Sequence, residues 1–341
     1  MRKNKIFLWG LIMGLTISSF SGCGIKTDTP IIGNIVGLKD NEMFKVNELI
    51  CSKPEYMLVF MDVQNRYKKN LGTGIDWNAK VDDQSTLEMA AKNQTKEEIS
   101  VRYALASMAK EQEVSLEKDE ETAVKSAAES YFNSLNDAEK QYTGAALTDV
   151  EALYRNYFLA EKVREKLTED SGTDISDEQA RIIKIQYIHM DGTKTNPKKI
   201  KETLKEAKSI VKAGYQPFSR EAKQYTVEDS IEKTICKNEA TAKYELEAYQ
   251  LANGEMSDII QDGNDYYLLY CVESYMKEET EANKQKLIAE EQAKVLAEKY
   301  AGYLKDLQKD FNSKQWEGTK VTTASDVASS GLLDYFAESM K

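Results

Sequence analysis

Histidine is almost absent from this chain: His189 is the single one among 341 residues. A site built on two imidazoles is therefore excluded. The four cysteines, Cys23, Cys51, Cys236 and Cys271, are scattered, with no CxxC pair and no partner histidines, which removes both a zinc site and a disulfide framework. Cys51, Cys236 and Cys271 read as small buried or half-buried thiols. Basic residues are also short, 46 against 57 acidic ones for a net charge of −11, and that balance argues against nucleic acid as a partner. No glycine-rich nucleotide motif and no set of metal ligands is present, so no cofactor and no metal is expected. The uncharged run from Ile6 to Phe20 is shorter than the roughly 20 residues that span a bilayer.

That run has a different meaning in its context. Arg2, Lys3 and Lys5 precede it, and small residues follow it into Cys23, the layout of a signal peptide over residues 1–22. Phe20-Ser-Gly-Cys23 resembles a bacterial lipobox, with phenylalanine where leucine is usual. Lipidation of Cys23 would tether the chain to the outer face of the cytoplasmic membrane, since each buried CH₂ contributes about 0.8 kcal/mol and more than one acyl chain anchors stably. Loss of residues 1–22 removes three positive charges and no negative one, taking the net charge from −11 to −14. An acidic surface does not lie on anionic lipid, so the acyl chains would do the holding.

Residues 23–30 form the lipidated start and a polar spacer. Pro30 to Gly37 and Met43 to Val46 read as a hairpin, and from Asn47 to about Glu169 the pattern is helical. Ala123, Ala127, Tyr131, Leu135 and Ala138 make one apolar stripe, and Leu153, Tyr157, Ala160, Val163 and Leu167 a second. A mostly helical lobe is thus expected over 31–178, with Ser171 to Glu178 as a linker and Asp174 or Ser176 capping a short helix. Beyond residue 276, Ala289, Ala293, Leu296, Tyr300, Tyr303, Leu307 and Phe311 repeat at three and four. This long helix either folds back to complete the lobe or pairs with a second copy as a homodimer. Gln315 to Thr323 is expected as a strand against the first hairpin, which places 276–323 with the lobe. The tail 324–341 is weakly amphipathic and carries no assignment.

Between these helices lies a closed α/β unit, 181–275. Arg181 to Met190 alternates with period two and stops at Asp191-Gly192, which makes it a strand. Ile200, Leu204, Ala207 and Val211 give an amphipathic helix that ends at Gly214. Phe218 to Tyr225 and Tyr244 to Leu251 read as shorter helices, and Tyr266 to Val272 as a buried central strand. Helices on one small antiparallel sheet make the fold class α+β.

Three motifs in this unit resemble the parvulin family of peptidyl-prolyl isomerases. Phe218-Ser-Arg-Glu-Ala-Lys-Gln-Tyr-Thr226 is similar to its Phe-x-x-x-Ala-x-x-Tyr/Phe-Ser helix. Tyr244 to Ser257 is similar to its Phe-x-x-Ala-x-x-Leu-x-x-Gly-Glu-x-Ser segment, and Asp265-Tyr-Tyr-Leu-Leu to its Gly-Tyr-His-Ile-Ile strand. Tyr103 to Glu120 resembles the helical entry of SurA- and PrsA-type foldases ahead of their parvulin domain. In the parvulin alignment Tyr187 and Tyr267 fall where the family has its two histidines, and Glu228 where it has an acid or cysteine. Ala240 and Tyr244 fall at its proline pocket, to which Tyr249 and Phe218 add. A register slipped by two would bring His189 to the first histidine position, but its apolar continuation would then land on Asp191 and Gly192, so Tyr187 is preferred. The family's Gly-Gly-x-Leu-Gly loop is replaced by Ser230 to Asn238.

The resemblance implies a membrane-anchored, extracytoplasmic foldase that binds unfolded or newly exported polypeptides. With the paired histidines gone, its parvulin-like domain is expected to be weak or silent as an isomerase. The alternative is a working isomerase that uses Tyr187, Tyr267 and Glu228. Tyr187 and Tyr267 also suit a plain cross-strand packing pair, and Glu228 a solvated helix-end carboxylate. A solute-binding lipoprotein would want two lobes of alternating strands and helices, which the helix-heavy pattern disfavours.

Overall fold

In a computed structural model, residues 38–72, 74–226, 228–305 and 309–341 are described. The signal peptide, Cys23, the spacer and the expected strand at Pro30 to Gly37 lie outside them. The fold is α+β, with two small antiparallel sheets of three and four strands. Among the described residues no helix is long and apolar enough to cross a membrane. The chain forms two compact units, one of residues up to Glu169 together with Ala293–Lys341, the other of Asp170–Gln292.

The first unit opens with a hairpin of β1 (Glu42–Val46) and β2 (Leu49–Ser52). Asn47 takes φ 50° in its turn, a conformation that asparagine tolerates better than most residues. Met43 to Val46 thus form a hairpin with Leu49 to Ser52. Helix begins only at Lys53, because Ser52 is a strong stop: its hydroxyl accepts the Glu55 amide at 3.2 Å, and the Glu55 carboxylate returns to the Ser52 amide. Helices α1 (Lys53–Leu71), α2 (Leu87–Ser107), α3 (Lys118–Ser134), α4 (Asp137–Thr143) and α5 (Leu147–Thr168) follow. The two stripes largely meet in the core, where Tyr131, Leu153, Tyr157, Ala160 and Val163 are almost fully buried.

Buried tyrosines need partners for their hydroxyls. Tyr103 donates to Glu55 at 2.6 Å and Tyr56 to the Lys92 carbonyl at 3.1 Å. Burial pushes the Glu55 carboxyl above its ordinary range, and the Tyr103 hydrogen bond only partly offsets it.

The C-terminal part differs from expectation. Residues 315–323 form no strand. The third strand of this sheet is β7 (Lys309–Phe311), paired with β1, and Ser313–Glu317 is a short helix, α11, started by the Asn312 side chain. Helix α10 (Lys277–Leu304) stops before Phe311, which belongs to the sheet. The unassigned tail carries helix α12 (Leu332–Ser339), whose Leu332 and Phe336 are 1% exposed. Phe336 meets Tyr154 and Tyr157 with ring centroids 5.5 and 5.7 Å apart.

The second unit is organised on a sheet of order β4 (Glu232–Cys236), β3 (Ile182–Asp191), β6 (Asp265–Glu273), β5 (Ile260–Asp262). The first and last of these are short edge strands that the expected two-stranded pattern lacked. Ser176 caps the short helix α6 (Asp177–Ala180) before β3. Alternation along β3 and β6 sends Ile188, Tyr266 and Leu268 to one face, where Ile200, Leu204 and Ala207 of α7 (Pro197–Lys212) and Phe218 of α8 (Phe218–Tyr225) cover them. Ile183, Ile185 and Leu269 go to the other face, under Ala248 of α9 (Lys243–Ala248) and Tyr249. Gly214 ends α7 at φ 72°. Gly192 is required by contact: a Cβ there would lie 2.3 Å from the Asn264 carbonyl.

Leu268 is fully buried between sheet and helices, so Leu268→Ala should cost about 2–5 kcal/mol. A lowered urea midpoint by circular dichroism checks this.

Candidate functional site

Tyr187 and His189 stand two residues apart on β3 and so share one face of the sheet. The register sets Tyr267 of β6 directly across from His189, and Leu269 across from Tyr187. The imidazole, which the preferred alignment had passed over, is therefore the near neighbour of Tyr267.

Tyr267 lies in the middle of a stack of three rings. His189 is 4.7 Å away with planes 9° apart, and Tyr244 is 4.2 Å away on a 14° tilt. Tyr244 comes from the first turn of α9, which the Glu245 carboxylate caps by accepting the Thr241 and Ala242 amides, both at 3.1 Å. Lys233 of β4 closes that end, donating to the Tyr244 hydroxyl and to Glu245, each at 2.7 Å. Burial pushes the Lys233 ammonium down, but Glu245 and Tyr244 outweigh it and hold the group above its ordinary value.

At the other end His189 sits between two carboxylates. Its Nδ1 bonds Glu228, and its Nε2 bonds Asp265 Oδ1 at 2.9 Å. The segment before Glu228 is fixed by Thr226, whose hydroxyl donates to the Tyr187 carbonyl at 3.0 Å and accepts the His189 amide at 3.4 Å. Burial lowers the affinity of the ring for its proton, and the hydrogen bonds to Asp265 and Glu228 more than reverse this, so the pKa of His189 stands above the usual imidazole value. Burial and the charge of Asp265 push the Tyr267 phenol up to about 12. Burial and Glu228 raise Tyr187 as well. The site therefore presents neutral phenols beside an imidazole whose two ring nitrogens are both engaged by carboxylates.

Next to the stack is an open cleft of about 480 Å³, lined by Asp191, Thr193, Ala242, Tyr244, Asp262, Gly263, Asn264, Asp265 and Tyr267. Its walls are mostly polar. Among the described residues no group of three or more His, Cys, Asp or Glu is placed to hold a metal ion.

Of the residues singled out in the sequence, Tyr187, Tyr267 and Tyr244 meet on one face, with Ala240 packed against the same cluster. Glu228 joins them through His189. Tyr249 is 4% exposed and turns inward, its hydroxyl donating to the Ile235 carbonyl at 2.7 Å. Phe218 is on the opposite face of the sheet, stacked on Tyr270 with centroids 5.4 Å apart. Asp265, Lys233 and Glu245 were not singled out. The period-two spacing of Tyr187 and His189 was the one available signal that the histidine belongs to this face.

An α+β protein with a tyrosine-histidine-carboxylate cluster on a four-stranded sheet is as far as fold and site define the chain. No family model and no curated protein matches its sequence. Among solved structures it is similar to the foldase protein PrsA of Streptococcus pneumoniae, at 15% identity over 86% of this chain and 97% of that one, with a TM-score of 0.29. It is also similar to the peptidylprolyl isomerase PrsA of Bacillus cereus, at 14% identity over 89% and 98%, and to the foldase protein PrsA of Lactococcus lactis, at 16% over 86% and 98%, both with a TM-score of 0.32.

The raised pKa of His189 has a definite sign in stability. Its contribution is fully present below the unfolded value of about 6.5 and is lost as pH rises through the folded value. With one histidine in the chain, an NMR titration of its ring is unambiguous. It should titrate above the ordinary value, and Asp265→Asn or Glu228→Gln should each bring it down.

Proposed function

We propose that the chain is a folding factor for exported polypeptides, held on the outer face of the cytoplasmic membrane by a lipid on Cys23. Its sheet-bearing unit binds polypeptide without accelerating prolyl isomerisation. The observation that carries this reading is the ring stack. Prolyl isomerisation must surmount a barrier of about 18–20 kcal/mol from lost amide resonance. A catalyst lowers it by seating the proline ring in an apolar slot and binding the twisted amide better than the planar one. Here the rings at the corresponding positions fill each other's space, with Tyr244 and His189 against the two faces of Tyr267. Tyr249 is spent on the core, and the adjoining cleft is lined by Asp191, Asp262 and Asp265. Such walls suit the polar main chain of an extended polypeptide better than a proline ring.

The second reading, a working isomerase built on Tyr187, Tyr267 and Glu228, is favoured by one observation. The Tyr267 phenol stays neutral to about pH 12 and can donate to a peptide carbonyl.

Isomerisation of a series of Ala-Pro peptides, followed with the soluble chain from residue 24 onward, separates the two. The expected rate is that of the free peptide, tens to hundreds of seconds at 25 °C, with suppressed aggregation of an unfolded client in parallel. Acceleration that Tyr187→Phe/Tyr267→Phe abolishes would establish the second reading instead.

A further inference from the structure

In the first unit, residues 319–331 cross the helices with no regular structure apart from a turn at 325–326. Their main chain is nevertheless held at six of these thirteen residues by side chains of the helices. Tyr142 donates to the Lys320 carbonyl at 2.8 Å, and the Thr322 amide donates to Gln64 Oε1 at 2.8 Å. Asn136 donates to the Asp326 carbonyl at 2.8 Å and Lys68 to the Val327 carbonyl at 3.1 Å. Glu139 Oε1 accepts two consecutive amides, Ala328 at 3.1 Å and Ser329 at 2.8 Å, while Asn65 donates to the Ser329 carbonyl at 2.8 Å. The Leu332 amide donates to Asp62 at 3.2 Å, and the Leu332 carbonyl accepts from Tyr154 at 2.6 Å.

Two properties of this arrangement decide its meaning. The receiving groups are built into the core: Asp62, Gln64, Asn65 and Glu139 are each at most 3% exposed. Covered as they are, polar groups of this kind would cost on the order of 1–3 kcal/mol each if whatever covered them offered no partner, so a covering chain must present main-chain N–H and C=O groups to them. The contacts also read almost nothing of the segment's own side chains, which are exposed or half-buried except at Thr319 and Val327. Specificity comes from the anchors that follow, Leu332 and Phe336, spaced i and i+4 and sunk among Tyr131, Tyr154 and Tyr157.

We propose that this groove is a polypeptide-binding site which the chain's own C-terminal segment, Thr319 to Ser339, occupies in cis. An unfolded polypeptide bearing two apolar residues four apart enters by taking its place. The groove keeps its shape through such an exchange, because its side chains also have partners outside the segment: Arg66 donates to Asp62 Oδ2 at 3.0 Å, the Asn136 amide to Glu139 Oε2 at 3.1 Å, Tyr142 to Gln64 Oε1 at 3.2 Å and Gln64 Nε2 to Asn65 Oδ1 at 3.3 Å. The inference rests on the polypeptide-binding function proposed above and gives that function a location and a gate.

Amide hydrogen exchange of the unaltered chain tests it, with reduced, carboxymethylated α-lactalbumin as the permanently unfolded probe. The amides of Thr322, Ala328, Ser329 and Leu332 should be protected in the free protein and should exchange at least about tenfold faster when the probe is saturating. A synthetic peptide of residues 319–341, in excess, should raise the apparent Kd for the probe by a similar factor. If the probe binds and those four amides keep their protection, or the peptide fails to compete, the groove is not the site and this inference falls alone. If the probe does not bind at all, the polypeptide-binding function falls, and this inference with it.

Discussion

A peptide group taken out of water must find a partner, and a segment that is neither helix nor strand cannot find it within itself. The irregular C-terminal stretch of the first unit lives under that constraint. Its extended stretch lies where helices would otherwise pack, so the helices supply carboxylates, amides and phenols at the positions where its N–H and C=O groups arrive. Asp62, Gln64 and Asn65 are an unusual set of residues for the buried side of a helix. Beside their bonds to one another and to Arg66 and Tyr142, they form a receiving surface for main chain, with Glu139 and Tyr154 completing it from two other helices.

The second unit solves a different problem on its sheet face. Tyr187, Tyr244, Tyr267 and His189 crowd one surface that has only a short helix over it. Stacking the three rings of His189, Tyr267 and Tyr244 buries their faces against one another, and the polar edges are then tied at both ends. Lys233 and Glu245 hold one end, Glu228 and Asp265 the other. Both ring nitrogens of His189 are engaged by carboxylates, and the lysine at the opposite end is equally committed. The polar cleft lies beside this cluster.

Much of this was legible in the sequence, and the gaps have physical causes. The strand from Arg181, the helix closed by Gly214 and the strand from Tyr266 emerged because each has a face to bury and so a period to detect. The stripe ending Tyr300 and Tyr303 continued on paper to Phe311, since a spacing of three and four cannot report that the chain has left the helix and entered a sheet. β4 buries only Ile235 well, and β5 has three residues, so neither edge strand carries enough alternation to be seen. The tail had no readable pattern before Leu332 because its contacts are made by backbone. In the site, Tyr187, Tyr244, Tyr267 and Glu228 could be gathered by motif, whereas the central place of His189 depended on cross-strand register. One-residue and two-residue offsets are what sequence reading resolves least well.

The division of the first unit into two stretches of sequence sets an order of assembly. All four strands of the inserted sheet have been synthesised by Glu273, and they belong to a compact unit that begins at Asp170. The helical unit, in contrast, lacks the contacts of Leu332 and Phe336 with Tyr154 and Tyr157 until its last residues arrive. During synthesis from the N-terminus, the middle of the protein can therefore collect its sheet contacts while its first half still waits. The closing contacts span more than 260 residues, as from Asn65 to Ser329, and searches of that length are slow.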